Sequence, residues 1–469
     1  MTKTEFSKLL HDTDERYQKC WAILASLKSK PNESLQQFQT LLCEALFCLS
    51  DAYRSISQKR KILISRKDKL SLPWFSKRQK LLASRQDSIG KAVAIGKTLG
   101  DSFVWLFYRN DLVLLEEHLK HCENNHMPPG FGGLGEKEFV KQVPRIGNYF
   151  LLYHGTTSIL RLGDVSLIDV KSFRVVGIGE LKTTPKQPGE LSISLLIMGN
   201  KELFQNESVL KIPSSTKTSR SPFPPSMQAR LDRQMARNAN ALSSTSKIKE
   251  GSKIDIRLET YIPEFEKMVK AARTGHFSYQ QFGPGLLCVV LKQKKRSLCS
   301  ALSPAKKISF SSRLDGLTNH ALNLVLPESP YNTIDVGSLI YTRDGATRFQ
   351  LGTLPVFWWP LPIDVIKKLI FQEYLVFTIY NPAHFISKLQ AAGFSVTFND
   401  DERFSVNYLL GDKRYSFTGL RYFLGLIFAH FYKEEEIIDM LNRSISAIDD
   451  AKLVSNTKCE FRFHQQPCF

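Results

Sequence analysis

The spacing of apolar residues divides the chain into three stretches. From residue 1 to about 122, "ERYQKCWAILASLKS", "SLQQFQTLLCEALFCLSDAYRSI" and "GDSFVWLFYRNDLVLLEEHLKH" set apolar side chains three and four positions apart, without strand-like alternation. That period gathers them on one face of an α-helix, so an antiparallel helical bundle is expected. Asn32 and Ser34, after Pro31, stand where caps between the first two helices belong. The Pro/Gly run "HMPPGFGGLG", residues 126–135, marks a boundary.

Beyond it, a short helix over "GEKEFVKQV" leads into strand-like "NYFLLYHG", "VSLIDV", "RVVGIGELKT" and "ELSISLLIMG". Residues 203–254 turn Ser-, Lys-, Arg- and Pro-rich, which predicts a largely flexible insertion around one basic helix, "MQARLDRQMARNANAL". Helix "YIPEFEKMVKAARTG" and buried strand "GLLCVVLK" then resume the core. After a basic, Ser-rich link at 293–315, strands flank turns at Asp344-Gly345 and Gly411-Asp412, with helices at 363–373, 382–392 and 420–446. The expected class is α+β and multidomain. A helical domain covers 1–125, a central α/β core 126–295 with its insertion at 203–254, and a C-terminal α+β domain 296–469.

Composition adds a strong charge. Against 45 Asp and Glu the 469 residues carry 64 Lys and Arg, a net +19, with 42% apolar residues. Wholesale disorder and collagen-like architecture are excluded. No apolar run reaches the roughly 18 residues of a membrane span, and the N-terminus has no apolar core after its lysines, so a cytoplasmic chain is expected. Eight scattered cysteines without a CxxC pair read as reduced thiols.

The charge is clustered. Between Arg54 and Arg85, eleven Lys and Arg, with Lys59, Arg60 and Lys61 among them, face the single acid Asp68. Lys294, Lys295 and Arg296 form a second cluster, and Lys306, Lys307 and Arg313 a third. One such cluster is ordinarily a solvated face; three favour a phosphate-tracking surface. Nucleic acid is the expected partner; an anionic membrane face is the lesser option, so no membrane partner is expected, and a homo-oligomer or partner subunit is left open. "GKAVAIGKT" is no phosphate loop, because that signature needs Gly at position 91, where Lys stands.

The chemistry lies in "RLGDVSLIDVKSFRVVGIGELKT", residues 161–183. Two strand-like runs around "KSF" predict a hairpin turning near Ser172, whose opposed positions sum to 344. Asp164 then faces Glu180, about 5 Å away at Cβ. Lys182, two residues on, shares the face of Glu180. Two carboxylates suit Mg²⁺, which takes one or two of them together with waters and substrate phosphate. Such an ion polarises a phosphodiester while a neighbouring ammonium orients the attacking water. Asp169 is a second candidate acid, but its partner in this register is Val175.

At these residues the segment resembles the PD-(D/E)xK nuclease superfamily, whose site is Asp, a variable gap, then Glu/Asp-x-Lys on a hairpin. The resemblance implies a restriction-endonuclease-like core with a mixed sheet, Mg²⁺ or Mn²⁺ as cofactor and DNA as the usual substrate. Asp164 and Glu180 would ligate the ion and Lys182 would position water. An acid from the preceding helix would be Glu138, with Glu136 as alternative. Gly163 before Asp164 and the long insertion depart from the common pattern. The three-part architecture also resembles bacterial anti-phage effectors.

Two rivals stand beside this reading. His154-Gly155-Thr156 after an apolar strand resembles the first strand of ADP-ribosyltransferases, which implies an NAD-consuming enzyme. The other is a non-catalytic nucleic-acid-binding protein. His118, His121, Cys122 and His126 have a spacing that could engage Zn²⁺, although a polar helix end explains them more simply. Arg230, Arg233 and Arg237, at spacings of three and four on the insertion helix, offer a phosphate contact or a solvated face.

Overall fold

The computed structural model describes residues 2–28, 34–109, 111–121, 126–187, 190–199, 225–247, 258–293, 335–338, 355–398, 404–411, 413–418 and 420–450. Four helices open the chain: α1 Lys3–Ser26, α2 Leu35–Ser65, α3 Leu72–Tyr108 and α4 Leu112–Leu119. Thr2 and Glu5 close a capping box on α1, each satisfying the other's backbone N–H. Helix α3 runs unbroken through "GKAVAIGKT", where a phosphate loop would need a turn. Phe38 of α2 stacks on Phe103 of α3 with centroids 4.3 Å apart.

The glycines of the 126–135 breaker enter a helix, α5 Gly130–Gln142. A five-stranded sheet follows: β1 Arg145–Ile146, β2 Tyr149–Tyr153, β3 Val165–Asp169, β4 Arg174–Gln187 and β5 Glu190–Gly199. Its order is β1-β2-β3-β4-β5 and every pairing is antiparallel. The mixed sheet is therefore corrected to a meander: each connection is too short for the crossover that a parallel neighbour requires. Phe107 of α3 lies 5.9 Å from Phe150 of β2, so bundle and sheet share one core.

The basic helix of the insertion forms as α6 Pro225–Lys247 and packs on α4, β4 and β5. The insertion's flanks, 203–224 and 248–254, lie outside the described residues. After α7 Ile262–Ala271 come β6 Phe277–Gly283 and β7 Leu286–Lys292. Strand β7 does not resume the central sheet. It pairs with β9 Tyr374–Tyr380 in a second sheet of order β6-β7-β9-β8, where β8 is Asp335–Ser338. Its apolar residues are buried on both faces, Leu287 and Val289 against Ile379 on one side and Cys288 and Val290 in the main core on the other. The boundary expected at 295 falls inside this sheet.

Helices α8 Ile363–Ile370 and α9 Ala383–Ala391 form as expected, and so does the hairpin of β11 Phe404–Leu410 and β12 Lys413–Thr418 beside β10 Ser395–Phe398. The single helix expected at 420–446 is two, α10 Leu420–His430 and α11 Glu434–Asp450, broken at Phe431 with φ +61°. Trp358 donates to the Ser102 carbonyl at 2.8 Å and Phe357 meets Trp21 edge-on at 5.4 Å, tying this region to the bundle. Among the described residues, no helix is long and apolar enough to cross a membrane. The Asp344-Gly345 turn lies outside them.

Candidate active site

The β3–β4 hairpin adopts the predicted register near its open end: Val165, Ser166 and Leu167 face Gly179, Ile178 and Gly177. Past Leu167 the register slips by one, leaving Val176 as the extra residue of a bulge. Asp169 consequently pairs with Arg174, not Val175. Its carboxylate caps the turn, accepting from Ser172 Oγ at 2.6 Å and Lys171 N at 3.0 Å, and these bonds, the first above all, lower its pKa.

Asp164 sits one residue before β3, where its N–H donates to the Gly179 carbonyl at 2.8 Å. Its Oδ2 accepts from the Leu181 N–H at 2.7 Å. Glu180 is 3% exposed and its Oε2 lies 3.3 Å from Lys182 Nζ. Burial, then the charge of Glu180, pushes the Asp164 pKa up to about 6. Gly163 explains its own departure from the usual pattern. Its φ is +73°, and a Cβ there would meet Ile178 Cγ2 at 2.5 Å.

The helix acid beside this group is Glu136. Helix α5 approaches β4 so closely that a Cβ on Gly135 would meet Thr183 Oγ1 at 2.0 Å, which lowers the next residue onto the sheet. Glu136 accepts from the Tyr153 hydroxyl, and burial, followed by the charge of Asp164, pushes its pKa up to about 8. Glu138 is about 200° further round the helix and accepts from Gln142 Nε2 at 3.0 Å.

Helix α6 lies across Asp164 and Glu180 and closes a pocket of about 240 Å³. Arg161, Arg230, Gln234, Arg237 and Asn238 line it with the two acids. Gln234 Oε1 accepts from Lys182 Nζ at 3.2 Å. Asn238 is fully buried, and neither its side-chain nitrogen nor its oxygen has a partner among the described residues. A buried amide is costly in that state, so the pocket has unmet capacity for a polar ligand. Arg233 falls at the edge of this helix face, and its Nε donates to the Ala229 carbonyl of its own helix. Sequence spacing singled out the arginines and passed over Gln234 and Asn238, although each repeats from Arg230 at four-residue steps.

Buried histidines hold the backbone that leads into Asp164. His118 Nδ1 accepts from the N–H groups of Arg161 and Leu162 at 3.1 and 3.0 Å, so its proton is on Nε2. Nε2–H donates to the Tyr108 hydroxyl at 3.1 Å, which donates to Ser166 Oγ at 2.6 Å. Ser166 donates to His154 Nε2 at 2.6 Å, and His154 Nδ1–H donates to the Gly163 carbonyl at 3.0 Å. Every direction in this chain is fixed by its ends, where an N–H can only donate and a carbonyl only accept. Burial keeps both rings neutral, His154 with a pKa of about 4 and His118 well below its ordinary value.

These bonds decide two other expectations. His154 spends both nitrogens inside the protein, Thr156 donates to the Tyr153 carbonyl, and Lys97 of α3 donates to the Gly155 and Thr157 carbonyls. The His154-Gly155-Thr156 turn is thus a buried joint, and the transferase reading gains nothing from it. His118 is likewise committed, His126 stacks on Tyr53 at 4.2 Å, and Cys122 lies outside the described residues. Among the described residues no three His, Cys, Asp or Glu side chains form a ready metal cage. The pocket offers two carboxylates rather than a closed ligand shell. Lys59 and Lys61 are exposed at the end of α2, where Arg60 donates to Gln86; Lys294, Lys295 and Arg296 lie outside the described residues.

Compared with family models, curated proteins and solved structures, the chain finds no match in any of the three.

Proposed function

We propose that this chain is a nuclease that hydrolyses phosphodiester bonds, with DNA as the favoured substrate and the restriction-endonuclease-like order of α5, β2, β3 and β4 as its frame. The observation that carries this reading is the gathering of Asp164, Glu180 and Lys182 on the β3–β4 hairpin, beside a pocket that the two acids line together with Arg230 and Arg237. The donor set fits Mg²⁺ or Mn²⁺: two carboxylates repel one another until a cation neutralises them, and water and phosphate can fill the open positions.

Asp164 and Glu180 would hold the ion, which when bound polarises the scissile phosphate and makes water more acidic. Lys182 orients the attacking water and donates toward the developing oxyanion. Its contact with Gln234 keeps the amine over the pocket in the meantime. Arg230 and Arg237 attract the flanking phosphates, and the Asn238 amide, without a partner among the described residues, is placed to bond the substrate or its water.

The test is incubation of plasmid, single-stranded DNA and RNA with the purified chain in Mg²⁺, Mn²⁺ or EDTA, beside Glu180→Gln. Cutting that needs the metal and disappears in the variant is expected. Undiminished cutting by Glu180→Gln overturns the assignment.

A further inference from the structure

The end of the α2–α3 hairpin combines two features that the pocket does not use. Ile62 and Ile64 in the last turn of α2, and Leu72 and Trp74 in the first turn of α3, are 45%, 51%, 70% and 52% exposed. Leu81 follows two to three turns on at 41%. Around them Lys59, Lys61, Arg66, Lys67, Lys69 and Lys77 are exposed. Between residues 54 and 85 the only acid is Asp68.

We propose that this tip docks on the surface of an anionic lipid bilayer. The charge requires a polyanion, and the apolar side chains decide which one. A nucleic acid would pair with the lysines and could stack on Trp74, but it would leave Ile62, Ile64, Leu72 and Leu81 in water. A bilayer satisfies both: basic residues meet lipid headgroups while aliphatic side chains enter the acyl boundary and the indole sits at the interface. The chain's own segment 294–313 is a poor cover, since it carries Lys294, Lys295, Arg296, Lys306, Lys307 and Arg313 without an acid. No membrane span is involved, and the inference does not rest on the nuclease reading.

Trp74 supplies the probe. The other four tryptophans, Trp21, Trp105, Trp358 and Trp359, are buried, so a change in emission or quenching on mixing reports the tip. The full chain is mixed with phosphatidylcholine vesicles with or without phosphatidylglycerol, and with single-stranded DNA, while co-sedimentation and acrylamide quenching are followed. Expected are pelleting with the anionic vesicles only, a blue shift with loss of quenching, and about tenfold weaker pelleting for Leu72→Ser/Trp74→Ser. Both side chains are exposed, so this variant keeps the fold. Absence of pelleting, equal pelleting by the double variant, or protection of Trp74 by DNA and not by vesicles overturns the proposal.

Discussion

Leu181 pins Asp164: its backbone N–H donates to the Asp164 carboxylate at 2.7 Å, from the position between Glu180 and Lys182. The strand that presents one acid and the amine thus holds the other acid in register with them. A slip of one residue would turn Glu180 and Lys182 to the opposite face and remove the donor at once.

Asp164→Asn separates charge from shape. The amide oxygen can still accept from Leu181, while the buried charge and its repulsion with Glu180, which in that order raise the Asp164 pKa, are gone. Cleavage should fall at least about 100-fold, as for loss of an electrostatic contact in the reacting centre, with a melting temperature equal to or above that of the parent. A plasmid assay beside a thermal melt decides it; full activity, or a collapse in melting temperature, removes Asp164 from the proposed role.

Gly163→Ala should damage the site through the backbone. A side chain at φ +73° costs roughly 1–2 kcal/mol, and its Cβ would strike Ile178 at 2.5 Å. Gly90→Ala in α3, where a Cβ meets nothing within 4 Å, should instead gain up to about 1 kcal/mol. Urea denaturation of the two variants checks the contrast; equal effects would mean that Gly163 does not shape the approach to Asp164.

The hairpin was legible in the sequence because alternation and a short turn restrict the register, so three of its pairs sum to 344 as expected. The slip at Val176 was not, because it depends on the turn that Asp169 caps and that Phe173 completes at φ +52°. The choice of Glu136 over Glu138 hangs on the close contact of Gly135 with Thr183, a distance in space that spacing along α5 does not reveal. The pairing of β7 with β9 spans more than eighty positions, and an apolar strand has no local feature that names its neighbour.

Tyr108→Phe tests the buried chain from His118 to Gly163. Removing the hydroxyl strands the Nε2–H of His118 and takes the donor from Ser166, at a cost of about 1–3 kcal/mol for buried groups left unpaired. Because the chain fixes residues 161–163, the variant should also bind Mn²⁺ more weakly. Calorimetry gives the metal affinity apart from stability, and a destabilised variant with unchanged affinity would reduce the chain to scaffolding.

The acids predict how stability and metal binding respond to pH. Folding raises the Glu136 pKa from 4.5 to about 8 and that of Asp164 from 3.8 to about 6. Groups raised in this way bind protons more tightly in the folded chain, so their contribution is fully present below about pH 4 and is lost as pH rises through about 6 and then about 8. His118 and His154 act oppositely, since their lowered pKa values withdraw stability as pH falls below 6.5 toward about 4. Comparing variants therefore isolates the acids. In EDTA, Glu136→Gln should flatten the decline in melting temperature between about pH 6 and 9. Mg²⁺ competes with protons for the carboxylates, so it should raise the melting temperature more at about pH 8 than at about pH 6. A flat profile in the parent chain, or an unaltered decline in Glu136→Gln, would mean that Glu136 is not the acid that α5 turns toward Asp164.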